Sequence, residues 1–176
     1  MKGFCCSCNK TVDGRIVSKK EKYNVMGDGD IVVDTKILYC PKCNEQISCE
    51  ELDDATLKKA YDKYRKKHKL LSPKDIINIR EKYGLSQRGL ARLLNWGDKT
   101  IWRYELGSVQ DRAHNSMLMY IKDPINMKEY IKHNETSLSN TEMSALKKRT
   151  DEIIKNVIEQ GSSNEEEKIS YTIMPI

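Results

Sequence analysis

The sequence predicts an α+β protein built from two modules: a small metal-pinned β-hairpin, then an all-α domain with a C-terminal helical extension. Three observations predict it. Two Cys-x-x-Cys pairs, Cys5/Cys8 and Cys40/Cys43, stand near the N-terminus with 31 residues between Cys8 and Cys40. Two β-rich runs lie between the pairs, separated by a glycine–aspartate turn signal. From Ser72 onward, short segments of helical apolar spacing are punctuated by capping residues and glycines.

Each Cys-x-x-Cys turn delivers two sulfurs to one metal at about 2.3 Å, and two turns complete the tetrahedral set of a structural zinc site. Cys5, Cys8, Cys40 and Cys43 are therefore the expected ligands of one structural Zn2+ per chain. Cys6 is the alternative to Cys5, although Cys6 with Cys8 makes a poorer Cys-x-Cys bite. Cys49 reads as a thiol outside the set. Four thiolates leave no open position for water, which argues against hydrolytic chemistry. The strands are expected at Arg15 to Val25 and Ile31 to Tyr39, with Gly27-Asp28-Gly29-Asp30 as the turn. Six cysteines behind a start, MKGFCCSCNK, without an apolar signal core read as reduced thiols of a cytoplasmic protein.

Hydrophobic residues make up 38% of the chain and charged residues 32%, and no apolar run approaches the ~18 residues that a membrane span needs. No membrane partner is expected. The net charge of +5 permits nucleic acid as a partner without requiring it. Glu50 to Lys69 reads as a charged connector helix with Leu57, Ala60, Tyr61 and Tyr64 at helical spacing, closing in the basic run Tyr64-Arg65-Lys66-Lys67-His68-Lys69.

The all-α domain begins where Ser72-Pro73-Lys74-Asp75 announces a helix whose buried face is Ile76, Ile77, Ile79 and Tyr83 and which Gly84 closes. Ser86 caps a second helix, Gln87 to Leu94, with Leu90, Leu93 and Leu94 apolar and Ala91 small. Asn95-Trp96-Gly97 makes a tight turn into a third helix, Asp98 to Leu106, ended by Gly107. Ser108-Val109-Gln110-Asp111 resembles the capping box of a fourth, and Asp123-Pro124 starts a fifth. These segments divide the chain into a metal module (1–49), a connector (50–69), a helix-turn-helix domain (70–133) and a C-terminal helix with a flexible acidic tail (134–176).

Two short helices joined by a tight turn, with a small residue inside the first, form the arrangement that places the second helix in the DNA major groove. With Ile101 and Tyr104 pointing inward, the expected reading surface is Asp98, Lys99, Thr100, Trp102 and Arg103. Arg103 suits a bidentate pair with guanine, and Lys99 reaches the same edge or a phosphate. Trp102 either packs in the groove or covers a neighbouring helix. Gln87 and Arg88, at the start of the preceding helix, are placed for phosphate. His68, His114 and His133 are scattered and are assigned to no metal.

The stretches Tyr64-Arg65-Lys66-Lys67-His68, Leu70-Leu71-Ser72-Pro73, Leu85-Ser86-Gln87, Asn95-Trp96-Gly97-Asp98-Lys99-Thr100, Arg103-Tyr104-Glu105 and Gln110-Asp111-Arg112-Ala113-His114 carry a family likeness over roughly the first three quarters of the chain. In this order, behind the paired cysteines, they resemble the MqsA-type antitoxins, also called YgiT-type zinc-finger proteins. The resemblance implies an Xre/Cro-like (lambda-repressor-like) helix-turn-helix domain. It also implies a homodimer that represses its own operon at an inverted repeat in double-stranded DNA and, in many members, neutralises a toxin encoded nearby through the zinc module. The family ligands map onto Cys5, Cys8, Cys40 and Cys43, and the base-contacting arginine onto Arg103. Lys99 stands where the best-studied branch has asparagine, so the operator sequence does not carry over. The same residues also fit an Xre-family regulator of a phage or mobile element without a toxin. A thiol redox or metal-dependent enzyme is disfavoured because no base, phosphate loop or nucleophile accompanies the cysteines.

Past Asn134 the likeness ends. Ser139-Asn140-Thr141-Glu142 reads as a capping box, and Met143, Leu146, Thr150, Ile153 and Val157 recur at three-four spacing, either as a dimerisation seam or as packing on the chain's own helices. Gly161-Ser162-Ser163 and Glu165-Glu166-Glu167 are expected to be flexible. The alternating Ile169, Tyr171 and Ile173 before Pro175 read as a strand for a partner's sheet edge or as a loose end.

Overall fold

The computed structural model describes residues 1–134 and 136–170, with side chains described as far as residue 160. It divides into two compact units, Met1–Ser72 and Pro73–Ile176.

In the first unit a small hairpin, β1 (Lys2–Cys5) with β2 (Lys10–Asp13), precedes a three-stranded antiparallel sheet of β3 (Arg15–Val25), β4 (Asp28–Tyr39) and the short β5 (Gln46–Ile47), in the order β3-β4-β5. The alternation along β4 is a period-two pattern: Ile31, Val33, Thr35 and Ile37 are buried, whereas Val32, Asp34 and Lys36 are exposed. The helix expected as a connector, α1 (Glu50–His68), packs on β4 and buries Thr56, Ala60 and Tyr64; Leu57 stays exposed. Leu38, next along β4, joins Cys5, Val12, Cys40 and Ile47 in a separate apolar cluster.

The turn differs from expectation. Val25 pairs with Asp28, so Met26-Gly27 forms the two-residue loop and Asp28 to Asp30 already belong to β4. Met26 and Gly27 both have positive φ, 52° and 88°, which matches the twist of a hairpin better than a longer glycine-rich loop. Asn24 Oδ1 accepts the Gly27 N–H at 3.0 Å and holds the bend. At the other end, Asp28 receives Lys67 at 2.7 Å and His68 at 2.9 Å, tying the hairpin to the last turn of α1. That helix closes on Lys69 in the left-handed conformation, φ 53°, with Leu70 N–H donating to Arg65 O.

The second unit contains α2 (Pro73–Lys82), α3 (Gln87–Leu93), α4 (Thr100–Glu105), α5 (Arg112–Lys122), α6 (Pro124–His133) and α7 (Asn140–Ser170). Ile76, Ile79, Tyr83, Leu90, Leu93, Ile101, Leu118, Ile121 and Met127 supply its core. Ser86 caps α3 by accepting the Gly89 N–H, and Asp123 caps α6 with Pro124 at the first position. Two boundaries move. Helix α4 starts at Thr100 rather than Asp98, and α5 is capped by Asp111, which accepts the His114 N–H, rather than by Ser108. Asp111 wins because its carboxylate lies one residue before the first helical position, where it reaches a free N–H.

The capping box of α7 forms as expected: Ser139 N–H donates to Glu142 Oε2 at 2.9 Å and Glu142 N–H donates to Ser139 Oγ at 3.3 Å. Leu146 and Thr150 are buried as α7 packs on α6, so this part of the apolar stripe serves the chain's own bundle; Val157 and Ile158, farther along, are exposed. Helix α7 continues through Gly161-Ser162-Ser163 and the following glutamates, where a flexible stretch was expected, and includes Ile169. Tyr171, Ile173 and Pro175 lie outside the described residues. Among the described residues, no helix is long and apolar enough to cross a membrane.

Candidate metal centre and nucleic-acid interface

The two cysteine turns are built alike. Cys5 ends β1 and Cys40 follows β4, and each turn is closed by an asparagine in the left-handed conformation directly after its second cysteine: Asn9 at φ 49° and Asn44 at φ 58°. Asparagine tolerates that conformation through its short polar side chain. The backbone folds back on itself at each, with Asn9 N–H donating to Cys6 O and Asn44 N–H to Cys40 O. A repeated Cys-x-x-Cys-Asn is thus a finer signal than the cysteine spacing alone.

These turns bring four sulfurs together. All four Sγ atoms of Cys5, Cys8, Cys40 and Cys43 lie within 4.8 Å of one another, with Cys5 to Cys43 at 3.4 Å and Cys8 to Cys40 at 3.9 Å. A tetrahedron with metal–sulfur bonds of about 2.3 Å has sulfur–sulfur edges of about 3.8 Å, so the set fits one ion. Cys5 and Cys40 are 2% and 1% exposed and form part of the apolar cluster; Cys6 points to solvent. Cys49 packs at the border of the cluster with its sulfur 3.4 Å from Met1 Sδ, outside the four.

The clustered thiols act on one another's ionisation. The backbone N–H of Cys43 draws the Cys40 thiol down to about 6, against burial and with help from the N–H of Lys42. Cys43 goes the other way: the Glu45 N–H acts to lower it, but burial and the sulfurs of Cys5, Cys8 and Cys40 push it up to about 12. Cys8 is also raised, with burial and the Cys40 and Cys5 sulfurs outweighing the Cys43 bond that acts to lower it. A bound cation would offset the repulsion among thiolates held so close together.

In the second unit, α3, a six-residue turn and α4 form the helix pair. Arg88, Asp98, Lys99, Trp102 and Arg103 are exposed, Trp102 at 45%. Thr100 is buried at the start of α4, and its N–H donates to Gly97 O. Gln87, at the start of α3, is half-buried and turned inward: its Nε2 donates to Glu105 Oε2 at 2.6 Å. Glu105 also takes Arg80 on both oxygens, Nε on Oε1 and NH2 on Oε2, so one carboxylate joins α2, α3 and α4. Nothing in the local pattern marks Glu105 or Arg80, which are 25 residues apart.

A second anchor is aromatic. Trp96, in the turn, stacks on the His114 ring at 3.8 Å between centroids and 22° between planes. Tyr104 of α4 stands edge-on to both, and its hydroxyl lies 2.6 Å from His114 Nδ1. Asp111 Oδ2 lies 3.4 Å from the same nitrogen. His114 is therefore a structural partner of the helix pair.

Residues 1–125 match the family model described as the antitoxin component of a bacterial toxin-antitoxin system, MqsA. The match runs from the first cysteine turn to the start of α6 and so takes in the thiol cluster and the helix pair. A search of curated proteins finds no match.

Proposed function

Because the chain belongs to the MqsA antitoxin family, we propose that it is a non-enzymatic, cytoplasmic antitoxin that represses its own operon as a homodimer and binds a toxin through its zinc module. The observation that carries the DNA-binding part is the split of α4 into two faces. Ile101, Tyr104 and Glu105 are committed to the core, to His114 and to Arg80, while Lys99, Trp102 and Arg103 project outward with no such role. A short rod fixed from behind and cationic in front is what major-groove reading requires.

In this reading Arg103 pairs with a guanine edge, Lys99 reaches a neighbouring base or phosphate, and Trp102 packs its apolar surface against sugar or a thymine methyl. Arg88 takes a phosphate at the start of α3. Gln87 and Thr100 support from behind, Gln87 through Glu105. Asp98, at the entry to α4, disfavours a phosphate at its own position. Two such helices, one per protomer, fit successive major grooves about 34 Å apart on an inverted repeat.

Zinc is the ion the donor set favours: four soft ligands at tetrahedral spacing, closed to water. When bound it neutralises the thiolates and fastens the β1–β2 hairpin to the end of β4. The chain's own part is to present the sulfurs on two asparagine-closed turns and to bury Cys5 and Cys40 among Val12, Leu38 and Ile47. That leaves the exposed face of the module, including Phe4 and Ile16, to meet a protein partner.

The test is a footprint on the chain's own promoter region, with co-purification of the neighbouring gene product in parallel. An inverted repeat protected by the wild type, and bound about 10- to 100-fold more weakly by Arg103→Ala with an unchanged circular dichroism spectrum, is expected. Absence of any protected duplex would remove repression from the reading. Failure of every co-expressed neighbour to co-purify would remove the toxin.

A further inference from the structure

Helix α4 has six residues, and its N-cap, Lys99, makes no side-chain cap. So short and uncapped a helix has no stability of its own, and its direction is set by the side chains that anchor it. Ile101 anchors its middle in the core, and Glu105 anchors its end through Arg80 and Gln87. The entry to the helix is anchored differently. The turn that feeds it has Asn95 in the left-handed conformation, φ 53°, and Trp96 bonded through its N–H to Ala91 O at 2.8 Å. The turn is held further by the Ser137 hydroxyl donating to Asn95 Oδ1 at 3.2 Å, by the Thr100 N–H donating to Gly97 O, and by the indole of Trp96 lying on the imidazole of His114.

Three elements therefore meet in one stack: the turn through Trp96, α4 through Tyr104, and α5 through His114. Lys99 is three residues after Trp96, and Trp102 and Arg103 immediately precede Tyr104. The Tyr104 hydroxyl and His114 Nδ1, 2.6 Å apart, share a hydrogen bond between α4 and α5, and Asp111 Oδ2 lies 3.4 Å from the same nitrogen.

We propose that His114, stacked on Trp96 and bonded to Tyr104, is a positioning residue for operator binding, holding α4 at the pitch that delivers Lys99, Trp102 and Arg103 to the groove. The inference rests on the DNA-binding reading above and adds a residue that touches no DNA. Loss of the ring would leave the turn and α4 without their shared contact to α5.

The experiment measures affinity for the operator and for a scrambled duplex of equal length, at fixed pH and ionic strength, for the wild type and for His114→Ala, His114→Asn, Tyr104→Phe and Trp96→Phe, with thermal melts of each. His114→Ala is expected to bind the operator about tenfold more weakly, the worth of one lost hydrogen bond, with little change on the scrambled duplex. His114→Asn, which offers an amide group near the Nδ1 position, should recover part of the operator affinity. Tyr104→Phe and Trp96→Phe should each weaken operator binding in the same selective way. A folded His114→Ala that binds and discriminates like wild type would overturn the placement while leaving repression standing. A wild type that binds no duplex from its own promoter would overturn both.

Discussion

Arg80 and Glu105 form a two-contact ion pair between α2 and α4, with the arginine side chain 15% and the glutamate side chain 6% exposed. Breaking one half of so buried a pair leaves an uncompensated charge, which costs about 3–5 kcal/mol. Glu105→Ala also frees the Gln87 amide. It is expected to destabilise the helical unit by about 3 kcal/mol or more in urea unfolding and to lose operator binding with it. An unchanged midpoint would show that the pair contributes no stability.

Metal removal should act on the first unit alone. Ion binding supplies folding energy on the order of 10 kcal/mol to small modules of this kind, and here two ligands are themselves core residues. A chelator is expected to abolish the cooperative melt of the β unit and leave that of the helical unit close to its original temperature. Cys5→Ser should lose the ion, whereas Cys6→Ser should retain one metal per chain by mass spectrometry. Equal effects of the two substitutions would contradict the cluster.

The parts of this architecture that were legible in the sequence are those fixed by local chemistry. Cysteine spacing states a ligand geometry outright, and Ser86, Asp123-Pro124 and Ser139/Glu142 state helix starts because a cap is satisfied within three residues. The rest depends on long-range contacts. Gly27 to Asp30 looks like a loop, yet the register of β3 on β4 puts only Met26-Gly27 in the turn. Lys2–Cys5 and Lys10–Asp13 carry little strand pattern and are strands because they pair with each other beside the thiols. Arg80 with Glu105, and Trp96 with His114, have no local period to betray them.

Gly14 marks a close approach that no larger residue permits. A Cβ there would lie 2.6 Å from Leu38 Cγ and 2.7 Å from its Cδ1, and Leu38 is 1% exposed in the cluster around the thiols. Overpacking of this kind costs about 1–3 kcal/mol. Gly14→Ala should lower the melting temperature of the β unit, and Leu38→Val in the same chain should restore part of it. Additive losses in the double variant would refute the clash.

Operator binding should be strongly salt-dependent, and the slope should separate contacts to phosphate from contacts to bases. Replacing Arg88 with alanine is expected to reduce the slope of log affinity against log salt by about 1 and to weaken binding similarly on all sequences. Replacing Arg103 should instead relax preference at one base pair, by about 1–3 kcal/mol. If Arg88→Ala alters sequence preference and leaves the slope intact, the two roles are exchanged.

Asp28 sets the pH limits of the β unit. Lys67, first, and then His68 and the Asp30 N–H hold its carboxyl well below the usual carboxylate range, and Asp28 in turn raises Lys67. A carboxyl depressed in the folded state stabilises above its unfolded value, about 3.9, and loses that contribution as pH falls below it. A raised lysine does the reverse: its contribution is complete below about 10.4 and disappears as pH rises beyond. The contact between the hairpin and α1 should therefore strengthen the unit on a plateau between those limits and fade on both sides. Asp28→Asn removes the charge that defines each edge, so its melting temperature should be lower on the plateau and should change less at both extremes, read by circular dichroism at constant ionic strength. Parallel curves for the wild type and the variant would mean that Asp28 adds nothing to the hold of α1 on the hairpin, which also rests on buried Ala60 and Tyr64 and on Lys59 and Lys63 donating to Asp34 O and Val32 O.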